Sequence, residues 1–148
     1  MKNQKLLLQK MSGVSLMLLL FLFFSNCAGG GGTFSTDVWN ITYDDQEGGI
    51  SLTYKSKNIC NGMYASYQWE GKEIKTSDYA RHKISTGKVS DSFGKGHIYK
   101  VEYTDKELPE LTQYFYLYPD KEYILTDFTV EAKEEISSAK MAPVNVDS

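Results

Sequence analysis

From Val38 onward, apolar and polar positions alternate with a period of two, the signature of strands that bury one face. "VWNITY" (Val38 to Tyr43) alternates, and "GISLTYK" (Gly49 to Lys55) follows a Gly48-Gly49 turn. "GMYASYQWEGKEIKTS" reads as a hairpin turning near Glu70-Gly71. In "HIYKVEYTD", Ile98, Lys100, Glu102 and Thr104 share one face, and Tyr99, Val101 and Tyr103 share the other. The clearest hairpin is "TQYFYLYPDKEYILTDF", Thr112 to Phe128. Leu111, Gln113, Phe115 and Leu117 fall on one side of its first strand, and Thr112, Tyr114, Tyr116 and Tyr118 on the other. Pro119 and Asp120 supply turn chemistry, and Ile124, Thr126, Phe128 and Val130 form one face of the return.

No convincing helical stripe interrupts this pattern. "DKELPEL" is charged and broken by proline, so it reads as a loop; "EAKEEISSAK" is the one helix-like alternative, and it is short. Short strands with regular turn signals, rich in Tyr, Phe and Thr, predict an all-β fold, an antiparallel β-sandwich over residues 37–148. Both faces of Leu111–Tyr118 are apolar or aromatic, which places that strand mid-sheet or under a cover. Core packing is the first reading of Tyr114, Tyr116 and Tyr118; a sugar-stacking platform is the functional alternative, because Tyr offers an apolar face and a hydroxyl.

The pattern before Val38 is different. Lys2, Lys5 and Lys10 precede "VSLMLLLFLFF", an apolar run from Val14 to Phe24. That run is shorter than the ~20 residues needed to span a bilayer, and it reads as the core of an export signal over residues 1–26. "FFSNCAGGGG" follows and resembles a bacterial lipoprotein signal, which implies lipidation at Cys27, although Asn26 stands where that pattern has a small residue. The competing reading is an ordinary cleaved signal with an incidental cysteine. Residues 27–36, with Gly29 to Gly32, read as a flexible tether. The expected location is the bacterial cell envelope, with the membrane engaged through the lipid alone.

Charge then excludes some partners. Three of the 16 Lys and Arg precede Cys27 while all 19 acidic residues follow it, which leaves −6 beyond the signal. An acidic domain is poorly suited to nucleic acid, and none is expected as a partner. Cys60 stands alone if Cys27 carries lipid.

Candidate chemistry is sparse. His82 and His97 have no neighbours at ligand spacing, so no zinc site is expected. "DDQEGG" (Asp44 to Gly49) has oxygen ligands and glycines but lacks the spacing of a calcium loop, and reads as a solvated turn. "FGKGH" (Phe93 to His97) lacks the Gly-Lys-Ser/Thr ending of a phosphate loop and reads as the glycine-bounded start of a strand. No Gly-x-Ser-x-Gly elbow occurs, and no carboxylate pair is singled out. No catalytic residue, cofactor or metal is expected.

"LPELTQYFYLYPDKEYILTDFTVEAKEEISSAKMAPV", Leu108 to Val144, resembles the N-terminal β-sandwich of bacterial α-galactosidase-like glycoside hydrolases of the melibiase and raffinose-synthase type. The residues that carry the likeness are Gln113 to Tyr118, Tyr123 to Glu131 and Ile136 to Val144, and "SFGKGHIYKVEY" is similar to the preceding strand of that domain. Ala139-Lys140 stands where the family has Asn-Tyr. The resemblance implies a partial supersandwich that supports a (β/α)₈ barrel, in which two aspartates run a retaining mechanism. No residue here matches either aspartate, so this chain alone is expected to be inactive.

Two functions follow. In the first, the chain is expected to be the N-terminal support sandwich of an exported α-galactosidase-like hydrolase, a fragment with the sandwich incomplete at its C-terminal end and without the catalytic barrel, and its partner is that barrel. In the second, it is a small lipoprotein that binds an α-galactoside, another glycan or a partner protein through residues such as Trp39, Tyr67 and Trp69. The candidate contact residues are Tyr114, Tyr116, Tyr118 and Trp69.

Overall fold

The computed structural model describes residues 32–133, 135, 138 and 140–146. The signal stretch, Cys27 and most of the tether lie outside the described residues, as do Glu134, Ile136, Ser137 and Ala139 of the segment that carries the resemblance. Ten strands fill the described part: β1 (Thr33–Ser35), β2 (Trp39–Asp44), β3 (Gly49–Tyr54), β4 (Lys57–Trp69), β5 (Lys72–Lys75), β6 (Arg81–Asp91), β7 (Gly94–Thr104), β8 (Glu110–Leu117), β9 (Ile124–Glu131) and β10 (Met141–Asn145). They form two antiparallel sheets packed as a sandwich. One runs β1-β2-β3-β4-β10 with β5 also paired to β4; the other runs β6-β7-β8-β9. The all-β sandwich expected from the alternation is the fold observed. The short helix-like alternative is not: among the described residues of that stretch there is no helix. Thr33–Ser35, inside the stretch read as tether, is β1, and the Gly32 carbonyl accepts from the Tyr99 hydroxyl at 2.6 Å.

Turn chemistry sets the hairpins. Lys55 and Ser56 both have positive φ (47° and 65°), as do Glu70 and Gly71 (50° and 77°), the paired left-handed conformation that matches strand twist in two-residue loops. β4 is one continuous strand, but Asn61 and Gly62 together oppose Ser51 of β3, a bulge between the Ile50–Met63 and Leu52–Cys60 pairs.

Alternation sends Trp39, Ile41, Tyr43, Ile50, Leu52, Met63, Ala65 and Tyr67 inward from the larger sheet. They meet Tyr99, Val101, Tyr103, Leu111, Phe115, Leu117 and Phe128 from the smaller one. This core is unusual in its hydroxyls, and each needs a partner because an unbonded buried polar group costs about 1–3 kcal/mol. Tyr79 donates to the Pro109 carbonyl at 2.7 Å, and its oxygen lies 3.0 Å from that of Tyr67. Tyr103 donates to the Gln113 side chain at 3.4 Å. Gln113 in turn donates to the Pro143 carbonyl at 2.9 Å, which ties β8 to β10 across the sheets. His82 and Asp45 add a bridge of 2.7 Å from β6 to the β2–β3 turn.

Burial pushes the hydroxyls of Tyr67, Tyr79, Tyr99 and Tyr103 above the ordinary phenol range and that of Tyr43 up to about 12, with Asp45 and Asp44 adding to the last. A phenol whose folded pKa is raised contributes stability that is complete below the unfolded value of 10.0 and is lost as pH rises through the folded value. The domain should therefore lose stability and unfold as pH rises above 10. The last phase of tyrosinate absorbance, which belongs to the buried rings, should coincide with the loss of far-ultraviolet circular dichroism. Complete tyrosinate formation while the dichroism stays native would contradict the buried assignment.

Candidate functional site

The outer face of the four-stranded sheet follows from alternation. With Leu111, Gln113, Phe115 and Leu117 buried, Thr112, Tyr114 and Tyr116 of β8 face out. Register supplies their neighbours. Tyr114 stands between Lys100 of β7 and Asp127 of β9, and Tyr116 stands between Ile98 and Leu125. Ser85 and Gly87 of β6 continue those two rows. The two tyrosine rings lie 6.4 Å apart and 21° from parallel, and both remain partly exposed. An alanine methyl at Gly87 would meet nothing within 4 Å, so the patch is open on that side.

The result is two near-parallel rings beside two aliphatic side chains, with an ammonium and a carboxylate flanking one ring. Lys100 holds Glu102 at 3.1 Å, and the Asp127 carboxylate accepts the Phe128 amide at 2.8 Å. Burial pushes the Tyr116 hydroxyl up, Asp127 adds to this, and the group stays a neutral donor at physiological pH. Such a surface can stack a sugar ring or bury against another protein.

The remaining predicted contact residues divide. Tyr118 shares this face but is fully buried. It lies over Gly96, 6.1 Å from the Phe93 ring, and donates to Asp91 at 2.6 Å. Tyr118 thus closes the end of the sheet, which corrects the three-tyrosine platform to two. Trp69 is on the other sheet and does not join the tyrosines. It lines a cleft of about 780 Å³ with the β7–β8 loop, among the carboxylates of Glu70, Asp105, Glu110 and Glu131. Asp105 is engaged locally: bonds from the amides of Glu107 (2.9 Å) and Ala80 (3.4 Å) hold its pKa below the usual carboxylate value. Trp39 and Tyr67, read as contacts in the glycan-binding alternative, are core residues at 5 % and 1 % exposure. Trp39 donates its indole N–H to the Lys121 carbonyl at 3.1 Å. The sequence reading missed the depression around the β4 bulge; the Asn61-Gly62 pair within an alternating run was the available signal.

Cys27 lies outside the described residues. Asp44 accepts the amides of Gln46 and Glu47 at 2.8 and 3.1 Å, as a turn-capping carboxylate does. Among the described residues no group of three or more His, Cys, Asp or Glu side chains is placed to hold a metal ion. The chain matches no protein-family model, no curated protein and no solved structure.

Proposed function

We propose that the chain is the non-catalytic support sandwich of an exported α-galactosidase-like hydrolase, and that the outer face of its four-stranded sheet is where the catalytic barrel packs. The observation that carries this reading is the Tyr114–Tyr116 pair, stacked and partly exposed beside Ile98 and Leu125. Aromatic and aliphatic groups massed on one sheet face are the composition of an interface centre. The sequence resemblance of Leu108 to Val144 points to the same class of enzyme, and no residue corresponds to the aspartates of its barrel. Attachment to the envelope through Cys27 belongs to the same proposal.

The test is sedimentation of the chain with an α-galactosidase-type barrel expressed from the same cells. The wild type should form a complex, and a Tyr114→Ser/Tyr116→Ser variant should lose at least about 2 kcal/mol of affinity, as central aromatic contacts do. Absence of a complex with the wild type, or a complex indifferent to the double substitution, contradicts the reading. The near-parallel rings favour a second reading, a glycan platform. It gains support if α-galactosides bind the chain and the same double variant abolishes that binding.

A further inference from the structure

The larger sheet carries a depression of about 360 Å³ on its outer face, lined by Glu47, Asn61, Gly62, Tyr64, Lys75 and Ser77, with Gly48 and Gly49 beside them. Its floor is made by backbone. A methyl group on Gly49 would come within 2.8 Å of the Gly62 Cα, so the two strands touch where side chains would normally fill the surface. Gly62 has φ 64°, and a methyl group there would meet nothing within 4 Å; the space above it is open. The bulge of Asn61 and Gly62 against Ser51 is what turns the Asn61 side chain toward this space.

The walls are chemically mixed and electrically balanced. Glu47 offers acceptors, Lys75 and Ser77 offer donors, and Asn61 offers both. One carboxylate and one ammonium cancel, so the lining favours neither a phosphate nor a cation. The Lys75 ammonium rests 4.7 Å from the Tyr64 ring centre, which holds that donor in place before any ligand arrives. Convergent donors and acceptors around a small concave surface, one wall aromatic, suit a neutral molecule with several hydroxyls.

We infer that this depression binds a hexose or a terminal hexosyl unit, with Asn61, Glu47 and Lys75 bonding ring hydroxyls. The site lies on the sheet opposite Tyr114 and Tyr116 and is independent of the docking face; either can fail while the other stands. The test is nitrogen–proton correlation spectroscopy of the full chain, as purified from expressing cells, titrated with methyl α-galactopyranoside, methyl α-glucopyranoside and inorganic phosphate. A hexoside should give saturable shifts at the amides of Gly48, Gly49 and Gly62 and at the Asn61 side chain. Gly62→Asn should abolish them, because asparagine tolerates the left-handed backbone while its side chain fills the open space. Asn61→Ala, which leaves the backbone unstrained, should weaken binding without lowering the melting temperature. Saturable shifts with phosphate alone, no saturation with either hexoside, or hexoside binding unchanged in both variants overturns the proposal.

Discussion

Phe115→Ala should destabilise the domain by about 3–5 kcal/mol, whereas Tyr116→Ala, one residue along, should cost no more than about 1 kcal/mol. The contrast follows from strand geometry. Phe115 has no exposure and meets the Tyr99 ring at 6.4 Å, nearly edge-on. Its removal leaves a cavity between two sheets that cannot collapse onto it. Tyr116 points the other way, is partly exposed, and has water as an alternative neighbour. Urea unfolding gives both values from the midpoints, provided the slopes match the wild type. Equal costs would mean that the outer face is as deeply packed as the inner one, and the docking proposal would lose its surface.

Gly96→Ala should cost about 2–3 kcal/mol although it adds one methyl group. The new Cβ would fall 2.6 Å from the Leu117 carbonyl oxygen and 2.8 Å from the Tyr118 ring. The carbonyl belongs to the adjacent strand, and the ring is held by its bond to Asp91, so neither yields easily. Near-ultraviolet circular dichroism should report release of Tyr118, and thermal melts should report the loss of stability. Gly87→Ala is the control: it lies on the neighbouring strand with open space above it, and should be neutral or stabilising by up to about 1 kcal/mol. A Gly96→Ala variant as stable as the wild type would contradict the packing of Tyr118 over β7.

Much of this architecture was legible in the sequence because the period-two signal carries facing directly. "HIYKVEYTD" and "LTQYFYL" assign inward and outward residues as the structure does, and Glu70-Gly71 marks its turn. Alternation does not report what lies above a face. Tyr114, Tyr116 and Tyr118 are equivalent in the pattern, yet Asp91 of β6 and Gly96 of β7 draw only Tyr118 into a buried position. For the same reason Trp39 and Trp69, both ring-bearing strand residues, separate into core and cleft wall only through the partners that tertiary structure brings. The Lys55-Ser56 turn was hidden because neither residue advertises a left-handed backbone. The bulge at Asn61-Gly62 was hidden because one extra residue in a long strand looks like continued strand.

The central proposal is that the Tyr114–Tyr116 face is covered in the proposed complex with the barrel, and tyrosine-selective nitration measures that directly. Cells carrying the chain and the purified chain are labelled in parallel, and Tyr123, exposed at 44 % on the loop before β9, serves as the internal reference. The account predicts that Tyr123 is labelled in both samples while Tyr114 and Tyr116 are labelled only in the purified chain. Equal labelling of Tyr114 and Tyr116 in the cells and in solution would contradict it.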